Sequence, residues 1–365
     1  MSNFLQLHSL ISYPTANLNR DDVGRPKTTY FGGSTRIRIS SQCIKRAWRT
    51  DPTFRSEIGE ANLGVRSRRF AHALLQELLD RGLDETAASE RIRAVIRHDR
   101  LGAVSAKNEE VGDEEDTTNS SAASVNTAQI VHLSAAEVQR LNLLADRLMD
   151  DDPLDEKEPL VLLSQPGAVD IALFGRMIAD NKAFGVEASA QTAHPFTVHR
   201  ASIDDDFFSA VDDLSAPEAA QVAYIDNFEY GAGLFYQYLN VNLDLLFENL
   251  GGDALLARVG IAALTKAFAT VNPGGKQAYT AARVRAQYLL VEKGDVAPRT
   301  LANAFLRPVS ASEASGDLLE AAATRLEAER NALDGAYGAC SASSSTMRVG
   351  HCGSLGDCIS FAIAD

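Results

Sequence analysis

The sequence has no long hydrophobic run. No uninterrupted apolar stretch in its 365 residues approaches the ~18 residues that a membrane-spanning helix needs. The opening residues, MSNFLQLHSLISYP, also lack the basic-then-apolar order of a secretory signal. With 45% hydrophobic and 23% charged residues, the composition is typical of a soluble globular protein with one large or two medium domains. We therefore expect a cytoplasmic protein without a membrane partner.

Cysteine is scarce, and its placement argues against a disulfide framework. Of the four cysteines, Cys43 lies far from the other three, which fits reduced thiols in a chain of this size. His194 and His199 are five residues apart, and His351 adjoins Cys352. Neither pattern has the paired short spacing of a zinc site, so no metal or other cofactor is expected.

Signatures of common enzyme classes are also missing from the sequence. It contains no phosphate-binding P-loop, no nucleophile elbow and no HExxH helix. The segment Pro273-Gly274-Gly275-Lys276 is not followed by Ser or Thr, so it predicts a turn whose lysine meets a phosphate. Asp21 and Asp22 are adjacent carboxylates that could bind a metal or act as a base, although neighbouring aspartates in a loop usually form a cap or turn. No catalytic residue is expected.

Positive charge is in deficit overall but concentrated at one place. The formal net charge is -14, which argues against coating long DNA through net charge alone. Residues 1–50 nevertheless contain eight Lys/Arg against two Asp. Charge placed in this way is expected for a groove that holds a phosphate backbone. The alternative is a solvated basic helix face.

The basic block has the pattern of a strand followed by a helix. Thr35 to Ile39 alternates Arg36 and Arg38 with isoleucines, which predicts a strand with both arginines on one face. Ser40 or Ser41 then caps a helix running through about Arg49. One helix face carries Gln42, Lys45 and Arg49, and the other carries Ile44, Ala47 and Trp48. Cations and helix N–H groups at one turn would suit phosphate, and Arg20, Arg25 and Lys27 could close the same groove.

The middle of the chain is predicted to be helical and acidic. Residues 65–98 have a helical core stripe, and a second helix is expected at Ala135–Met149. Between them, residues 107–124 (KNEEVGDEEDTTNSSAAS) read as a mobile acidic insertion. An acidic loop follows at Asp150–Glu158. Residues 101–160 contain four Lys/Arg against fourteen Asp/Glu, so this segment is not expected to contact phosphate.

The second half of the chain mixes strands and helices. We predict strands at Phe4–Ile11, Val169–Phe174, Tyr230–Asn242 and Gln287–Val291, with an extended loop or hairpin at Gln191–Asp213. Helices are predicted at about Asp253–Thr270 and at Ser315–Asp334, the latter capped by Ser315. This arrangement predicts an α+β fold with an antiparallel sheet.

Five blocks of sequence resemble one known family. They are FLQLHSLISYP, LNRDDVGRPKTTYFGGSTRIRISSQCIKRAWR, VDIALFGRM, AHPFTVHRASIDDDFFSAVDDL and GAGLFYQYLNVNLDLLFENLGG. In this order they resemble the backbone subunit of the type I-E CRISPR Cascade complex, the CasC family. The combination is specific, because RISSQ followed by KRA is unusual and the other blocks are independent of it.

The resemblance implies a fold and a set of partners. The expected fold is a modified RNA-recognition-motif (ferredoxin-like) palm, formed by residues 1–50 and 165–365, with a protruding thumb hairpin at about 190–213. Residues 51–164 would form a helical fingers region. Several copies would stack as a helical filament along one CRISPR guide RNA (crRNA), each thumb flipping a base of the RNA held by its neighbour. The guide would then pair with target DNA, and other Cascade subunits would complete this antiviral assembly.

The resemblance also implies site residues. The guide backbone would be gripped by the basic block, with Lys276 added from the glycine-rich turn: Arg20, Lys27, Arg38, Ser40, Gln42, Lys45, Arg46 and Arg49. In the GRM segment, Arg176 would bind RNA and Met177 would pack at the flipped base. The thumb tip would carry Phe196, Thr197 and Val198.

A guide-RNA scaffold is consistent with the physical chemistry of this sequence, and two alternative functions stay open. Because base pairing carries the sequence information, a guide scaffold needs backbone contacts and apolar wedges rather than base-edge readout. The aromatic residues Phe235, Tyr236 and Tyr238 are assigned mainly to the core. One alternative is a metal-dependent RNA-cleaving backbone subunit, as in type III effectors, which would use Asp21 or Asp22. Another is a structural oligomer that assembles without RNA.

The sequence departs from the family at the acidic insertion and at the carboxy-terminal region, where only residues 335–338 resemble it.

Overall fold

The chain forms two units in the computed structural model, which describes residues 3–102, 125–211, 222–314 and 316–364. Unit 1 contains Met1–Phe54, Ala190–Leu243 and Ile261–Asp365, and unit 2 contains Arg55–Ser189 and Asp244–Gly260. Residues 165–189 and 244–260, which the predicted palm included, therefore belong to unit 2. The predicted acidic insertion at 107–124 lies outside the described residues.

The strands and helices are numbered in chain order. The strands are β1 (Phe4–Ala16), β2 (Thr28–Phe31), β3 (Ser34–Ile37), β4 (Gly64–Ser67), β5 (Val131–Ser134), β6 (Ala190–Thr192), β7 (Phe196–Thr197), β8 (Ile203–Val211), β9 (Val222–Asn242), β10 (Ala286–Gly294) and β11 (Ser343–Arg348). The helices are α1 (Ser41–Thr50), α2 (Pro52–Ile58), α3 (His72–Asp80), α4 (Glu85–His98), α5 (Ala135–Asn142), α6 (Ala145–Asp150), α7 (Val169–Phe174), α8 (Leu243–Asn249), α9 (Ala254–Thr270), α10 (Gln277–Thr280), α11 (Ala311–Ala314), α12 (Leu318–Tyr337) and α13 (Leu355–Ile363). No helix within these described ranges is both long and apolar enough to cross a membrane.

An antiparallel sheet forms the centre of unit 1. Its strand order is β11-β10-β1-β9-β6, and β7 and β8 also pair with β9. The central strand β1 pairs on one side with β10, from Phe4 opposite Gly294, and on the other side with β9, from Phe4 opposite Asn242. The predicted strands at the start of the chain, at 230–242 and at 287–291 are therefore confirmed, and so is the α+β class.

The longest strand, β9, belongs both to the central sheet and to a hairpin with β8. Its second half lies in the central sheet beside β1, and its first half pairs with β8, from Ile203 opposite Gly231 to Val211 opposite Val222. We call the β8–β9 pair at 203–211 and 222–231 the hairpin arm. Residues 203–207 of this arm have exposed side chains.

Helices cover one face of the sheet in unit 1. Leu10, Tyr236 and Leu290 of the sheet lie in one buried cluster with Phe305 and Leu326. Leu326 lies on α12, whose first turn is capped by Asp317, because Oδ1 of that residue accepts the N–H of Glu320 at 2.9 Å. The helix predicted at 315–334 is confirmed, but the predicted cap Ser315 lies outside the described residues and Asp317 caps the helix.

Unit 2 has a separate core, and one prediction about it is wrong. Val169–Phe174, predicted as a strand, is the buried helix α7. A short apolar run that is buried on all sides carries no period that distinguishes strand from helix. The helical predictions for 65–98 and 135–149 are confirmed for α3, α4, α5 and α6, but Gly64–Ser67 is a strand paired with β5. The carboxy-terminal β11 and α13 had no sequence prediction.

A buried carboxylate links four segments of unit 1. Glu292 on β10 accepts Nη1–H of Arg299 at 2.9 Å, Nε–H of Arg330 at 2.8 Å and the hydroxyl of Ser341 at 3.0 Å. Oε2 of Glu292 also lies 3.3 Å from Nε2 of His8 on β1. Burial by itself raises the pKa of Glu292, but the contacts with His8 and Arg299 outweigh it and hold this pKa far below its usual range.

We expect Glu292→Gln to lower the free energy of unfolding by about 3 kcal/mol at pH 7, because two guanidinium groups then lose their buried counter-charge. The measurement is urea unfolding followed by circular dichroism. Because the native pKa of Glu292 is lowered, its contribution is present above the ordinary Glu pKa of about 4.3 and is lost as the pH falls through the native value.

The matched control is Glu313→Gln. Glu313 pairs with Arg325 at an exposed position, so its loss should lower the free energy of unfolding far less than the loss of Glu292 does. Equal losses from the two variants would contradict a special role for the buried carboxylate.

Candidate nucleic-acid interface

The start of helix α1 is fixed by side chains from distant segments. Ser40 is the N-cap: its Oγ accepts the N–H of Cys43 at 3.2 Å, and its own N–H donates to Oδ1 of Asn19 at 2.8 Å. The N–H of Ser41 donates to Nδ1 of His194 at 2.7 Å. The predicted strand-to-helix turn and the Ser40 cap are therefore confirmed.

These bonds change the expected chemistry of the turn. Two N–H groups of the first turn, at Ser41 and Cys43, already have protein acceptors. Phosphate at this turn would therefore be met mainly by side-chain cations and less by the helix N–H groups that the sequence had suggested.

Helix α1 turns its apolar side into unit 1. Ile44 and Trp48 are fully buried, and the Trp48 ring lies 5.8 Å from that of Phe268, measured between centroids. On the outer side, Gln42 and Arg46 are exposed. Two further basic positions, Lys45 and Arg49, are half-buried. Burial of the Lys45 stem lowers the pKa of its amine.

The loop before the helix is a tight turn closed by Asp21. Oδ1 of Asp21 accepts the N–H of Val23 at 3.1 Å and the N–H of Arg25 at 2.8 Å. Gly24 follows with φ +87°, a left-handed conformation that favours glycine. The N–H of Lys27 donates to the carbonyl of Asn19 at 2.9 Å. One carboxylate of the NRDD segment is thus engaged in closing the turn, as neighbouring aspartates in loops commonly are.

Several cations of the block converge on this turn. The Cys43 thiol lies within electrostatic reach of Lys27 and Arg46, and the His194 ring lies within reach of Arg38 and Lys27. The chain at Arg38 is held to the start of β2, since its N–H donates to the carbonyl of Lys27 at 2.8 Å and its Nε–H to that of Thr28 at 3.0 Å. The structure thus brings these basic residues together.

These cations remain available for an external anion. Within the described part of the chain, a group of basic residues forms no ion pair with a carboxylate: Arg20, Lys27, Arg38, Lys45 and Arg46. Arg25 differs, because its Nε lies 2.9 Å from Oε1 of Glu229 at the base of the hairpin arm.

Arg36 corrects the predicted strand pattern. It was expected on the same face as Arg38, but its side chain is fully buried. Nη1 donates to the carbonyl of Thr197 and Nη2 to the carbonyl of Phe305, each at 2.8 Å. Because β3 ends at Ile37, the alternation does not continue to Arg38, and Arg36 ties three segments of unit 1 together.

Arg176 in unit 2 is also buried, which corrects its predicted contact with RNA. Its Nη1 donates to both carboxylate oxygens of Glu137, at 2.8 and 2.7 Å, and both side chains are fully buried. Its neighbour Met177 is 85% exposed and lines a cavity of about 240 Å³ with Lys182 and Glu187. The arginine anchors the segment, and the contact of Met177 with a flipped base stays a prediction.

The predicted thumb tip is wrong. Phe196 and Thr197 form β7, which pairs with Tyr236 and Phe235 of β9, and Val198 is fully buried. Pairing with β9 places this segment in the central sheet, and its side chains are therefore packed there and are not presented at the tip of a hairpin. The exposed hairpin is the hairpin arm, and its connection at 212–221 lies outside the described residues.

Lys276 lies where the glycine-rich turn packs on the start of the basic block. A Cβ added to Gly275 would lie 2.5 Å from the carbonyl oxygen of Leu18, so only glycine permits this approach. Lys276 has a left-handed backbone (φ 54°), and its Nζ lies 3.2 Å from the centroid of the Phe228 ring. The predicted turn is confirmed, and its lysine is held by an aromatic ring.

Two anchoring residues escaped sequence reasoning. His194 is 153 residues from the Ser41 N–H that it accepts, and no spacing rule connects such positions. Asn19 precedes the adjacent carboxylates of the NRDD segment, and its own amide side chain carries no sequence signal for a contact with Ser40. Across the described ranges, no group of three or more His, Cys, Asp or Glu side chains is arranged to hold a metal ion.

Comparisons with known proteins agree on one kind of assembly. A family model described as CT1975-like protein matches residues 5–356. A solved chain from a "CRISPR RNA-guided surveillance complex, pre-nicking" is similar over 96% of this chain and 94% of its own length, with 29% identity and a TM-score of 0.76. A second, from a "CRISPR RNA-guided surveillance complex", covers 99% of both chains with 25% identity and a TM-score of 0.67. No curated protein matches.

We expect the imidazole of His194 to titrate with a pKa below the ordinary value of about 6.5, because its partial burial disfavours the charged ring. The neutral ring therefore stabilises the start of α1 above that ordinary value, and this contribution is lost as the pH falls through the lowered pKa. The measurement is an NMR titration of the imidazole signals.

His98 provides an internal comparison, because its hydrogen bond with Asp99 raises its pKa. The two rings should titrate on opposite sides of the ordinary value. A His194 pKa at or above that value would contradict the assigned bond to Ser41, because a protonated Nδ1 cannot accept it.

Proposed function

The chain belongs to the CT1975-like family, and on that premise we propose that it is a non-catalytic, guide-RNA-binding backbone subunit of a CRISPR Cascade-type surveillance complex. In its specific form the proposal is a type I-E complex in the cytoplasm. Several copies of the chain form a helical filament along one guide RNA and present it for pairing with target DNA, alongside the other Cascade subunits.

The observation that carries the proposal is the set of cations at the start of α1. Lys27, Arg38 and Arg46 converge there, and none of them is neutralised by a carboxylate in the described ranges. An acidic chain that keeps such a cluster unpaired gains nothing in stability from it, because like charges repel. A phosphate backbone would neutralise the cluster.

The rigidity of the turn supports binding that ignores base sequence. Asn19 and His194 hold the backbone of the turn, so the segment that carries the cations is ordered before RNA arrives. Contacts of this kind go to phosphate and position a strand without reading its bases. In an RNA-guided complex, base pairing supplies the specificity.

Met177 supports the second part of the mechanism. A methionine that is 85% exposed next to a buried, ion-paired arginine has no packing role of its own. Its flexible apolar side chain would suit contact with an unstacked base. We propose that it packs against the flipped nucleotide of the guide.

We also propose that the chain does not cleave RNA. Asp21 is one of the two candidate catalytic carboxylates, and its Oδ1 already accepts hydrogen bonds from two backbone N–H groups of its own turn. A metal-binding role would have to compete with these bonds. Metal-dependent cleavage of RNA is the alternative function.

We expect Arg46→Glu to weaken binding of single-stranded RNA about tenfold, because a charge-assisted phosphate contact becomes a repulsion. The slope of log affinity against log salt should shrink by about 0.7 for each phosphate contact that is lost. Fluorescence anisotropy at four or five salt concentrations gives both quantities.

The charge-matched control is Arg97→Glu, since Arg97 is exposed on α4 of unit 2 and the variant has the same net charge. Its affinity and salt slope should change much less. Equal effects of the two variants would indicate attraction by overall charge, and unchanged binding by folded Arg46→Glu would show that the block is not the RNA groove.

We expect end-labelled RNA to stay intact when it is incubated with the protein and Mg²⁺, and regular filaments to form on it. Gel electrophoresis reports the length of the RNA, and electron microscopy reports assembly. Regularly spaced fragments that disappear with Asp22→Ala would replace the proposal with a cleaving subunit. Identical filaments after nuclease treatment would replace it with an oligomer that does not need RNA.

A further inference from the structure

A cluster of aromatic rings and one lysine lies at the base of the hairpin arm in unit 1. The Phe208 and Phe228 rings stack at 4.8 Å between centroids, and Tyr230 meets Phe228 edge-on at 6.4 Å. Nζ of Lys276 lies 3.2 Å from the Phe228 centroid and 4.9 Å from the Tyr279 centroid. One ammonium group thus lies against two rings of the cluster, those of Phe228 and Tyr279.

Tyr279 is the outermost member of this cluster. It lies on the short helix α10 and is 76% exposed. A ring with this exposure adds little to core burial. The Lys276 ammonium lies between this ring and that of Phe228. Most of the tyrosine side chain nevertheless remains open to solvent.

The backbone of the loop that carries Tyr279 is fixed by its own contacts. Lys276 and Ala281, on either side of α10, both have left-handed backbones with φ of 54° and 48°. Such conformations cost energy for residues other than glycine and persist only where the surroundings fix them. Nε2–H of Gln277 donates to the carbonyls of Pro273 and Ala282, at 3.1 and 3.0 Å, which closes the loop.

The loop adjoins the basic block. A Cβ on Gly275 would lie 2.7 Å from the carbonyl oxygen of Asn17, so the two segments are in direct contact. Nδ2–H of Asn17 in turn donates to the carbonyl of Gly24 at 2.9 Å and to that of Glu229 at 2.9 Å. The aromatic cluster, the 19–27 loop and the hairpin arm therefore meet at Asn17.

We propose that Tyr279 and Lys276 form a base-stacking subsite for single-stranded nucleic acid that continues from the basic block. The nucleobase lies on the Tyr279 ring, and the Lys276 ammonium contacts the adjacent phosphate. Proteins that bind single strands without sequence preference combine aromatic platforms with cations in this way. The proposal rests on the proposed function of the basic block, and it adds a stacking contact that phosphate binding alone does not include.

Cross-linking tests the contact directly. Single-stranded RNA carrying 5-iodouracil is bound to the full chain, irradiated, and the attached peptide is identified by mass spectrometry. We expect attachment at Tyr279. A parallel arm with 5-iodouracil DNA distinguishes the sources: attachment from RNA alone assigns the site to a guide, and attachment from DNA alone assigns it to a target strand. Attachment from neither overturns the proposal.

Substitutions test the energy of stacking. Tyr279→Ala should weaken binding roughly tenfold, whereas Tyr279→Phe keeps the ring and should bind as the parent does. The control Tyr337→Ala removes a tyrosine of similar exposure, 87%, from α12 and should have no effect. Lys276→Met keeps the aliphatic stem and should reduce the salt slope without removing the cross-link.

An oligonucleotide with abasic positions separates stacking from phosphate contact. If the ring binds a base, Tyr279→Ala should cost nothing further on a fully abasic strand, while Arg46→Glu should still weaken it. The same Tyr279→Ala effect on normal and abasic strands would overturn the stacking subsite.

The two proposals fail in different ways. A parent protein that binds neither RNA nor DNA at low salt would overturn the proposed function and the subsite together. Binding that responds to Arg46→Glu but not to Tyr279→Ala, with no cross-link at Tyr279, would overturn the subsite alone.

Discussion

Unit 1 depends on a buried negative charge. Glu292 lies within the central sheet, and its carboxylate accepts hydrogen bonds from three residues outside the sheet: Arg299 after β10, Arg330 on α12 and Ser341 after α12. His8 brings β1 into the same contact. A carboxylate in this position is tolerable only if it is surrounded by compensating charge and hydrogen bonds. The requirement fixes α12 and the segment after it against the sheet.

Arginine has two distinct roles in this chain. Arg36 and Arg176 are buried and tie backbone carbonyls or a carboxylate together, so they serve the fold. Arg46 lies outside and has no carboxylate partner in the described ranges. Because a guanidinium has five N–H donors, it can satisfy several buried acceptors or bind a phosphate, and its sequence neighbours do not decide which.

The proposed RNA groove is organised before it is occupied. Hydrogen bonds from Ser40, Asn19 and His194 fix the turn, and the aromatic cluster at the base of the hairpin arm approaches it from a third segment. Such preorganisation reduces the ordering cost of binding. It also explains why an acidic chain can present a strongly basic surface: the local arrangement, and not the net charge, determines the field that a phosphate meets.

Local patterns in the sequence are sufficient to predict the elements whose hydrophobic period is clear. These include the apolar strand at the start of the chain, the Ser40 cap with the two faces of α1, and the placement of positive charge in the first fifty residues. The family resemblance added the kind of assembly. The helical state of Val169–Phe174 is evident only from the fold, because a short apolar run that is buried on all sides has no readable period. The burial of Arg36, Arg176 and the expected thumb tip is likewise visible only in the fold. The same holds for the contact of His194 with Ser41 and for the position of Tyr279 near the hairpin arm. Burial and pairing of this kind depend on which distant segments meet, and that information is not carried by residue spacing.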